Sequence, residues 1–248
     1  MRSLPDELEF PELALFLDVD GTLLDIEQHP DYVRADGKLS ALLARIAGGL
    51  GGALSLISGR SIADIDRIFA PAKFPAAGAH GAELRLRADD SVSASSSALP
   101  SPIVDQLQAF ADTHSGLLLE KKPGGVSLHY RRASDLEQQC RELVNVVMAE
   151  IGQDFRLIAG KMVFELAPRA HDKGAAIRAM MRHEPFADRC PVFIGDDVTD
   201  EDGFHVVNAM KGMSVRVGDN TDSAARYVIQ DVAAVRSWLE SVAEQVAG

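Results

Sequence analysis

The chain is poor in cysteine, in positive charge and in unbroken apolar sequence, and each shortage excludes something. Cys140 and Cys190 are the only cysteines, one in helix-like and one in loop-like surroundings. That is too few for a disulfide framework and unsuited to a zinc site, and it fits a reducing compartment. Acids outnumber bases so far that the formal net charge is -12, which argues against nucleic acid or an anionic membrane surface as a partner. No apolar stretch approaches the roughly 20 residues needed to span a bilayer. The N-terminal MRSLPDELEFPEL carries acids and prolines where an export signal has an apolar run. Internal repeats and long low-complexity tails are missing too. These absences predict a cytoplasmic globular protein, and 248 residues are ample for one large domain or a core with a modest insertion.

One stretch organises what is present: Leu13 to Leu24, LALFLDVDGTLL. Its apolar run is short and unalternating, which reads as a strand buried on both faces in a parallel sheet. The run stops at Asp18, with Asp20 two residues on and a Gly-Thr turn after it. In an open α/β sheet, ligands bind in the crevice outside the carboxyl ends of the strands. Two acids there repel each other unless something positive lies between them, and a divalent metal with an anionic substrate answers that need. Asp in a βα loop also serves turns and caps, so this stretch alone decides nothing.

Further pieces follow in order. Ser58-Gly59-Arg60 closes a second apolar strand, Leu54 to Ile57. Lys173 stands in His171-Asp172-Lys173-Gly174 where a helix begins, and Gly195-Asp196-Asp197-Val198-Thr199-Asp200-Glu201-Asp202 follows a third, Val192 to Ile194. Together with DVDGT these pieces resemble the haloacid dehalogenase superfamily of phosphohydrolases. Within it, GDDVTDED, SGR, HDKG, Gly78-Ala79-His80-Gly81 and Glu120-Lys121-Lys122 are similar to the trehalose-6-phosphate phosphatase family. The resemblance runs from about Phe10 to Leu239.

The pattern along the chain predicts an α/β fold: a doubly wound, Rossmann-like parallel sheet with an inserted small α+β cap. Leu39 to Ile46 has helical leucine spacing with glycines at its end, and Ser61-Ile62-Ala63-Asp64 reads as a capping box. Phe74 to Leu86 suggests a short strand, the GAHG loop and another strand. Asp89 to Pro102 is Ser-, Ala- and Pro-rich without period and reads as a hinge. Then come a helix (Val104 to His114), two strands (Leu117 to Lys121, Val126 to Arg131), a helix (Leu136 to Ile151) and two strands (Phe155 to Ile158, Met162 to Leu166). After Pro168 the core resumes with a helix from Lys173 to His183, the strand to Ile194, a helix capped by Thr199 to Asp202, a strand at Met213 to Val217 and a closing helix, Val235 to Val246. The expected division is 1–99 with 168–248 as core and 100–167 as cap.

The resemblance implies the chemistry. Asp18 is the nucleophile that forms an aspartyl phosphate, and Asp20 protonates the departing sugar oxygen and later deprotonates water. Ser58 hydrogen-bonds the phosphoryl group, and Lys173 neutralises it together with Asp18. Mg²⁺ is held by Asp18, the Asp20 carbonyl and Asp196, while Asp197 and Asp200 orient waters and loop; capping serves equally well for Asp200. Val19, Gly59, Arg60 and His80 line the phosphate side. Glu120, Lys122, Arg131 and Glu165 hold sugar hydroxyls from the cap. The expected partner is a small molecule, trehalose 6-phosphate, with neither nucleic acid nor membrane, and the expected state a monomer. Two other readings stay open: a phosphatase for sucrose or mannosyl phosphates, and a phosphate-sensing module without turnover.

Overall fold

The computed structural model describes residues 2–3, 12–26, 33–95, 99–219 and 222–246. Most of the acidic N-terminal stretch, the middle of the polar segment after the first long strand, and part of the Ser-rich stretch before Pro100 lie outside the described residues. The chain divides into two compact units, Met1–Ser93 with Asp172–Gly248, and Ala94–His171.

In the first unit the apolar runs become strands because a backbone buried between helices must satisfy its amides laterally. Its elements are β1 (Arg2–Ser3), β2 (Leu13–Leu17), α1 (Gly37–Gly49), β3 (Leu54–Ile57), α2 (Ile62–Phe69), β4 (Ala76–Gly78), β5 (Glu83–Arg85) and, at the border, β6 (Ser93–Ala94). After the insertion come α5 (Lys173–Met180), β11 (Cys190–Gly195), α6 (Glu201–Ala209), β12 (Met213–Val217), β13 (Tyr227–Ile229) and α7 (Val232–Gln245). Among the described residues they form a nine-stranded sheet in the order β1-β13-β12-β11-β2-β3-β4-β5-β6. From β1 to β4 the neighbours are parallel, and β5 is antiparallel to β4. Every residue of β2 is buried. The chain leaves β2 toward β3 and β4, and its second half builds outward from the other side through β11 and β12. That makes the gap between β2 and β11 the switch point where doubly wound sheets bind ligands.

The second unit contains α3 (Ser101–Thr113), β7 (Leu118–Lys122), β8 (Gly125–His129), α4 (Glu137–Ile151), β9 (Phe155–Gly160) and β10 (Val163–Pro168). Its strands form an antiparallel sheet ordered β7-β8-β10-β9. Leu119, Val126, Leu128, Phe164 and Leu166 pack with Leu107, Val144 and Val147 of the helices into a core of its own. The alternate residues Glu120, Lys122, Ser127, His129 and Glu165 therefore share the opposite face.

The structure departs from the sequence pattern in a few places. The short strands β1, β6 and β13 have no counterpart in the sequence pattern, because two or three residues carry no period. Arg85 is buried on β5, gripping Asp66 at 2.6 and 2.8 Å and donating to the Phe74 carbonyl, a pairing with no mark in the sequence pattern. The acid-rich turn is capped by Asp197, earlier than the pattern predicts, through a short 3₁₀ segment, Val198–Asp200, that leads into α6. Pro100 and Pro102 belong to the start of α3, and Pro168 ends β10, so the unit borders lie a few residues further out. Among the described residues no helix is long and apolar enough to cross a membrane.

Gly174 lets α5 approach α6: a Cβ there would press on the Asp202 carbonyl and lie 2.7 Å from a Val206 methyl. An alanine gains up to about 1 kcal/mol of helix propensity, but forced repacking costs about 1–3 kcal/mol, so packing wins. Gly174→Ala is expected to lower the unfolding free energy from denaturant titration by that net amount, about 0–2 kcal/mol, and to reduce activity, since Lys173 is the preceding residue. A variant as stable and as active as the parent would remove this close approach as a constraint.

Candidate active site

Three adjacent strands end side by side and deliver three polar residues. Asp18 follows β2, with its N–H bonded to the Ile194 carbonyl; Ser58 follows β3, with its N–H bonded to the Ala77 carbonyl; Asp196 follows β11. Asp18 and Ser58 are almost fully buried. Gly21, at φ +86°, turns the chain after Asp20, and a Cβ there would occupy the space of the Asp196 carboxylate. The turn thus needs glycine twice over, for its backbone angle and for room.

Lys173 is the first residue of α5, where Asp172 caps the helix by accepting from the Ala175 N–H. Its Nζ donates to Asp18 Oδ1 at 2.7 Å and to Asp200 Oδ1 at 2.6 Å, and all three side chains are at least 95% buried. Asp200 spends its other oxygen on the N–H groups of Asp196 at 3.0 Å and Asp197 at 2.9 Å. One carboxylate therefore fixes the lysine and shapes the loop that presents Asp196. The Thr22 hydroxyl reaches Asp196 Oδ1 at 3.4 Å.

The electrostatics follow from crowding. Burial pushes the Asp18 carboxyl well above its ordinary range, Lys173 pulling against it and Asp200 and Asp196 adding to it. Burial, then Asp200, raises Asp196 to about 6. Burial also works against the Lys173 charge, but Asp18 and Asp200 more than offset it and hold the ammonium above the ordinary lysine range. The ligand oxygens of Asp18, Asp196 and Asp200 lie within 4.8 Å of one another. Three carboxylates against one ammonium leave the cluster net negative, and a divalent cation with hard oxygen ligands fits that donor set.

On the β3 side, Arg60 grips Asp20 with both ends of its guanidinium, at 2.6 and 2.7 Å. The Arg60 N–H donates to the Ser58 hydroxyl. His80 is buried in a left-handed conformation (φ 54°), its N–H bonded to the Ser58 carbonyl. A Cβ on Gly59 would lie 2.6 Å from His80 Nε2, so glycine is what lets ring and loop meet. Val19 is wholly buried between the two acids.

In the second unit Lys122 Nζ and the buried Ser127 hydroxyl both donate to Glu165 Oε2, at 2.9 and 3.0 Å. Glu120 meets His129 Nε2 at 2.9 Å. Arg131 lies past the end of β8, exposed, and donates instead to the Lys161 carbonyl at 3.3 Å.

The structure thus gathers Asp18, Val19, Asp20, Ser58, Gly59, Arg60, His80, Lys173 and Asp196 in one unit, and Glu120, Lys122 and Glu165 in the other. Sequence patterns leave two residues of these networks unmarked, Ser127 and His129, and understate a third. Asp200 reads in sequence as orienting or capping, and its bond to Lys173 spans 27 positions of the chain. Ser127 and His129 need the β7–β8–β10 register to reveal their face.

A doubly wound sheet with an acid pair, a buried lysine and a second acid loop at its switch point, interrupted by a small α+β unit, defines the class: the fold is that of haloacid dehalogenase phosphatases. Residues 16–233 match the family model described as Trehalose-phosphatase, and the chain belongs to that family. The trehalose-6-phosphate phosphatase of Escherichia coli is 40% identical over 239 residues, which cover 94% of this chain and 89% of that protein. The probable trehalose-phosphate phosphatase of Sinorhizobium fredii is 41% identical over 205 residues, 83% of this chain and 77% of that one. The solved C-terminal domain of Candida albicans trehalose-6-phosphate phosphatase shares the fold, with TM-score 0.80 at 19% identity over 99% of this chain and 98% of that one.

The raised Asp196 value fixes a sign. In the folded protein without metal this carboxyl keeps its proton up to about 6, against 3.8 for the free group. Its contribution to stability is therefore most favourable below pH ~4, declines as pH rises through that window, and is fully lost above ~6, a change on the order of 2–3 kcal/mol. A divalent cation should reverse the loss, so melting-temperature gains on adding metal are expected to be larger at pH 7 than at pH 5. Equal gains at both pH values would place the metal elsewhere.

Proposed function

We propose that the chain is a Mg²⁺-dependent phosphatase that releases trehalose and inorganic phosphate from trehalose 6-phosphate, in trehalose biosynthesis. The observation that carries the mechanism is the buried bridge from Asp18 through Lys173 to Asp200. It aims one oxygen-bearing side chain at the strand ends and places a fixed positive charge beside it.

Asp18 supplies the carboxylate oxygen that attacks phosphorus. The bond from phosphorus to the sugar oxygen breaks, and that oxygen takes a proton from Asp20, leaving phosphate on Asp18. Water then gives its proton back to Asp20 and attacks phosphorus, freeing phosphate and Asp18. Arg60 takes one lone pair on each Asp20 oxygen, which fixes the plane of the carboxyl and leaves the remaining lone pairs for the transferred proton. Lys173 and the Ser58 hydroxyl stabilise charge on the phosphoryl oxygens. Asp18, Asp196 and the Asp20 carbonyl would hold Mg²⁺, which supplies charge neutralisation between the acids and the phosphate. Asp200 holds the loop and the lysine. Glu120, Lys122, Glu165 and Arg131 are assigned to the sugar hydroxyls; the Lys122–Glu165–Ser127 network supports this for Lys122 and Glu165, the shared face supports it for Glu120, and Arg131 is set apart from all three. The same reading makes the protein a cytoplasmic monomer acting on a small molecule.

Phosphate release across a panel of sugar phosphates, with Mg²⁺ and with chelator, tests the reading directly. Trehalose 6-phosphate should be the best substrate and chelator should stop turnover. Asp18→Asn is expected to abolish turnover with little change in melting temperature, because β2 packs as before. Substantial residual activity in that variant would put the nucleophile elsewhere.

Specificity gives a separate test. Glu120→Ala, Lys122→Ala and Glu165→Ala should each lower kcat/KM for trehalose 6-phosphate by about 2–4 kcal/mol in transition-state binding, Glu120 least because it is the most exposed. Loss on a small aryl phosphate should be much smaller. Equal losses on both substrates would mean these residues serve the fold and not selection.

A further inference from the structure

The register of β7 and β8 pairs Leu118 with His129 and Glu120 with Ser127, so Glu120 and His129 are diagonal neighbours on one face. β7 is an edge strand of its sheet. A glutamate there, with its side chain 40% exposed, would sample several rotamers, and each contact it made to a ligand would first have to order it. The imidazole restricts that freedom: Nε2, carrying its proton, donates to Oε2 at 2.9 Å and favours the rotamers that reach it. The hydrogen bond from His129, ahead of the Lys122 charge, also holds the Glu120 carboxyl below the ordinary range. Across the same face Glu165 is held in the same manner by Lys122 and Ser127. Both carboxylates of this face are thus oriented by a donor on a neighbouring strand.

We propose that His129 is a positioning residue for substrate selection, acting through Glu120 by presetting its carboxylate for the sugar hydroxyls. The inference rests on the reading of Glu120 as a sugar contact. His129 touches no reacting atom, and its effect is on binding of the sugar end.

The test is kinetic, on the full-length protein with Mg²⁺, using trehalose 6-phosphate and para-nitrophenyl phosphate side by side. The variants are His129→Ala, His129→Leu, His129→Gln, Glu120→Ala and the double substitution His129→Ala with Glu120→Ala. Loss of one charge-assisted hydrogen bond between partly exposed groups should raise KM for trehalose 6-phosphate about tenfold in the first two variants, with a smaller change in kcat. The ratio of kcat/KM between the two substrates should fall accordingly. The amide of His129→Gln, still a donor, should recover most of it. In the Glu120→Ala background, His129→Ala should add nothing, since the residue acts through the missing carboxylate. Additive losses in the double variant, or a lowered melting temperature with an unchanged ratio, would overturn the inference and leave His129 a sheet contact or a direct ligand of sugar. His129→Leu, which fills the site without a donor, keeps the test decisive should the alanine variant fail to fold. An unchanged ratio in Glu120→Ala overturns the sugar assignment itself, whereas a fall there and none in His129→Ala or His129→Leu overturns this inference alone.

Discussion

An ammonium group buried between two carboxylates is costly to assemble, and most of the first unit can be understood as the apparatus that assembles it. Lys173 gives up its water for two short ion pairs, with Asp18 and Asp200. Taking Lys173 away would strand two carboxylates in the interior, a loss of about 3–5 kcal/mol, whereas neutralising Asp18 leaves the ammonium paired with Asp200. Asp200 cannot move to relieve this, because its second oxygen ties down the backbone of Asp196 and Asp197. The helix that carries Lys173 cannot retreat either without opening the contact that Gly174 makes with α6. The arrangement is therefore held from the sheet outward, which is what the nucleophile proposed at Asp18 requires.

Much of this is legible in the order of the residues alone. A strand buried on both faces has to be written in nearly continuous apolar residues, so LALFL, LSLI and VFI announce themselves, and the acids placed directly after them mark the carboxyl edge. Lys173 is legible because it stands at a helix start in a recognisable context. The partner of Asp20 is not: Arg60 is 40 residues away, and nothing local says that its guanidinium points back along the edge. The edge strands β1 and β6, and β13 beside β1, are too short to carry a period, and the antiparallel turn-back of β5 goes with the ion pair of buried Arg85 and half-buried Asp66, invisible in sequence.

The second unit shows a different limit. Alternation along β7, β8 and β10 tells which residues share a face only after the strands are aligned. Glu120 and Lys122 stand out by charge, but Ser127 and His129 are ordinary strand residues until Ser127 is found opposite both Glu120 and Glu165. The shared polar face is a property of register: a slip of one residue would turn the carboxylates into the apolar core.

The position of β2 has a consequence for how the protein is made. It lies in the middle of the finished sheet, between β3 and β11, yet β11 begins only at Cys190. While the ribosome is still producing the second unit, β2 can pair with β3 and be covered by α1 and α2, which share its core, but its other edge has no partner. A fully apolar edge strand is the kind of surface that recruits another copy. The nascent chain thus passes through a stage in which the strand that carries Asp18 has one open apolar edge, and that edge closes only when β11 arrives.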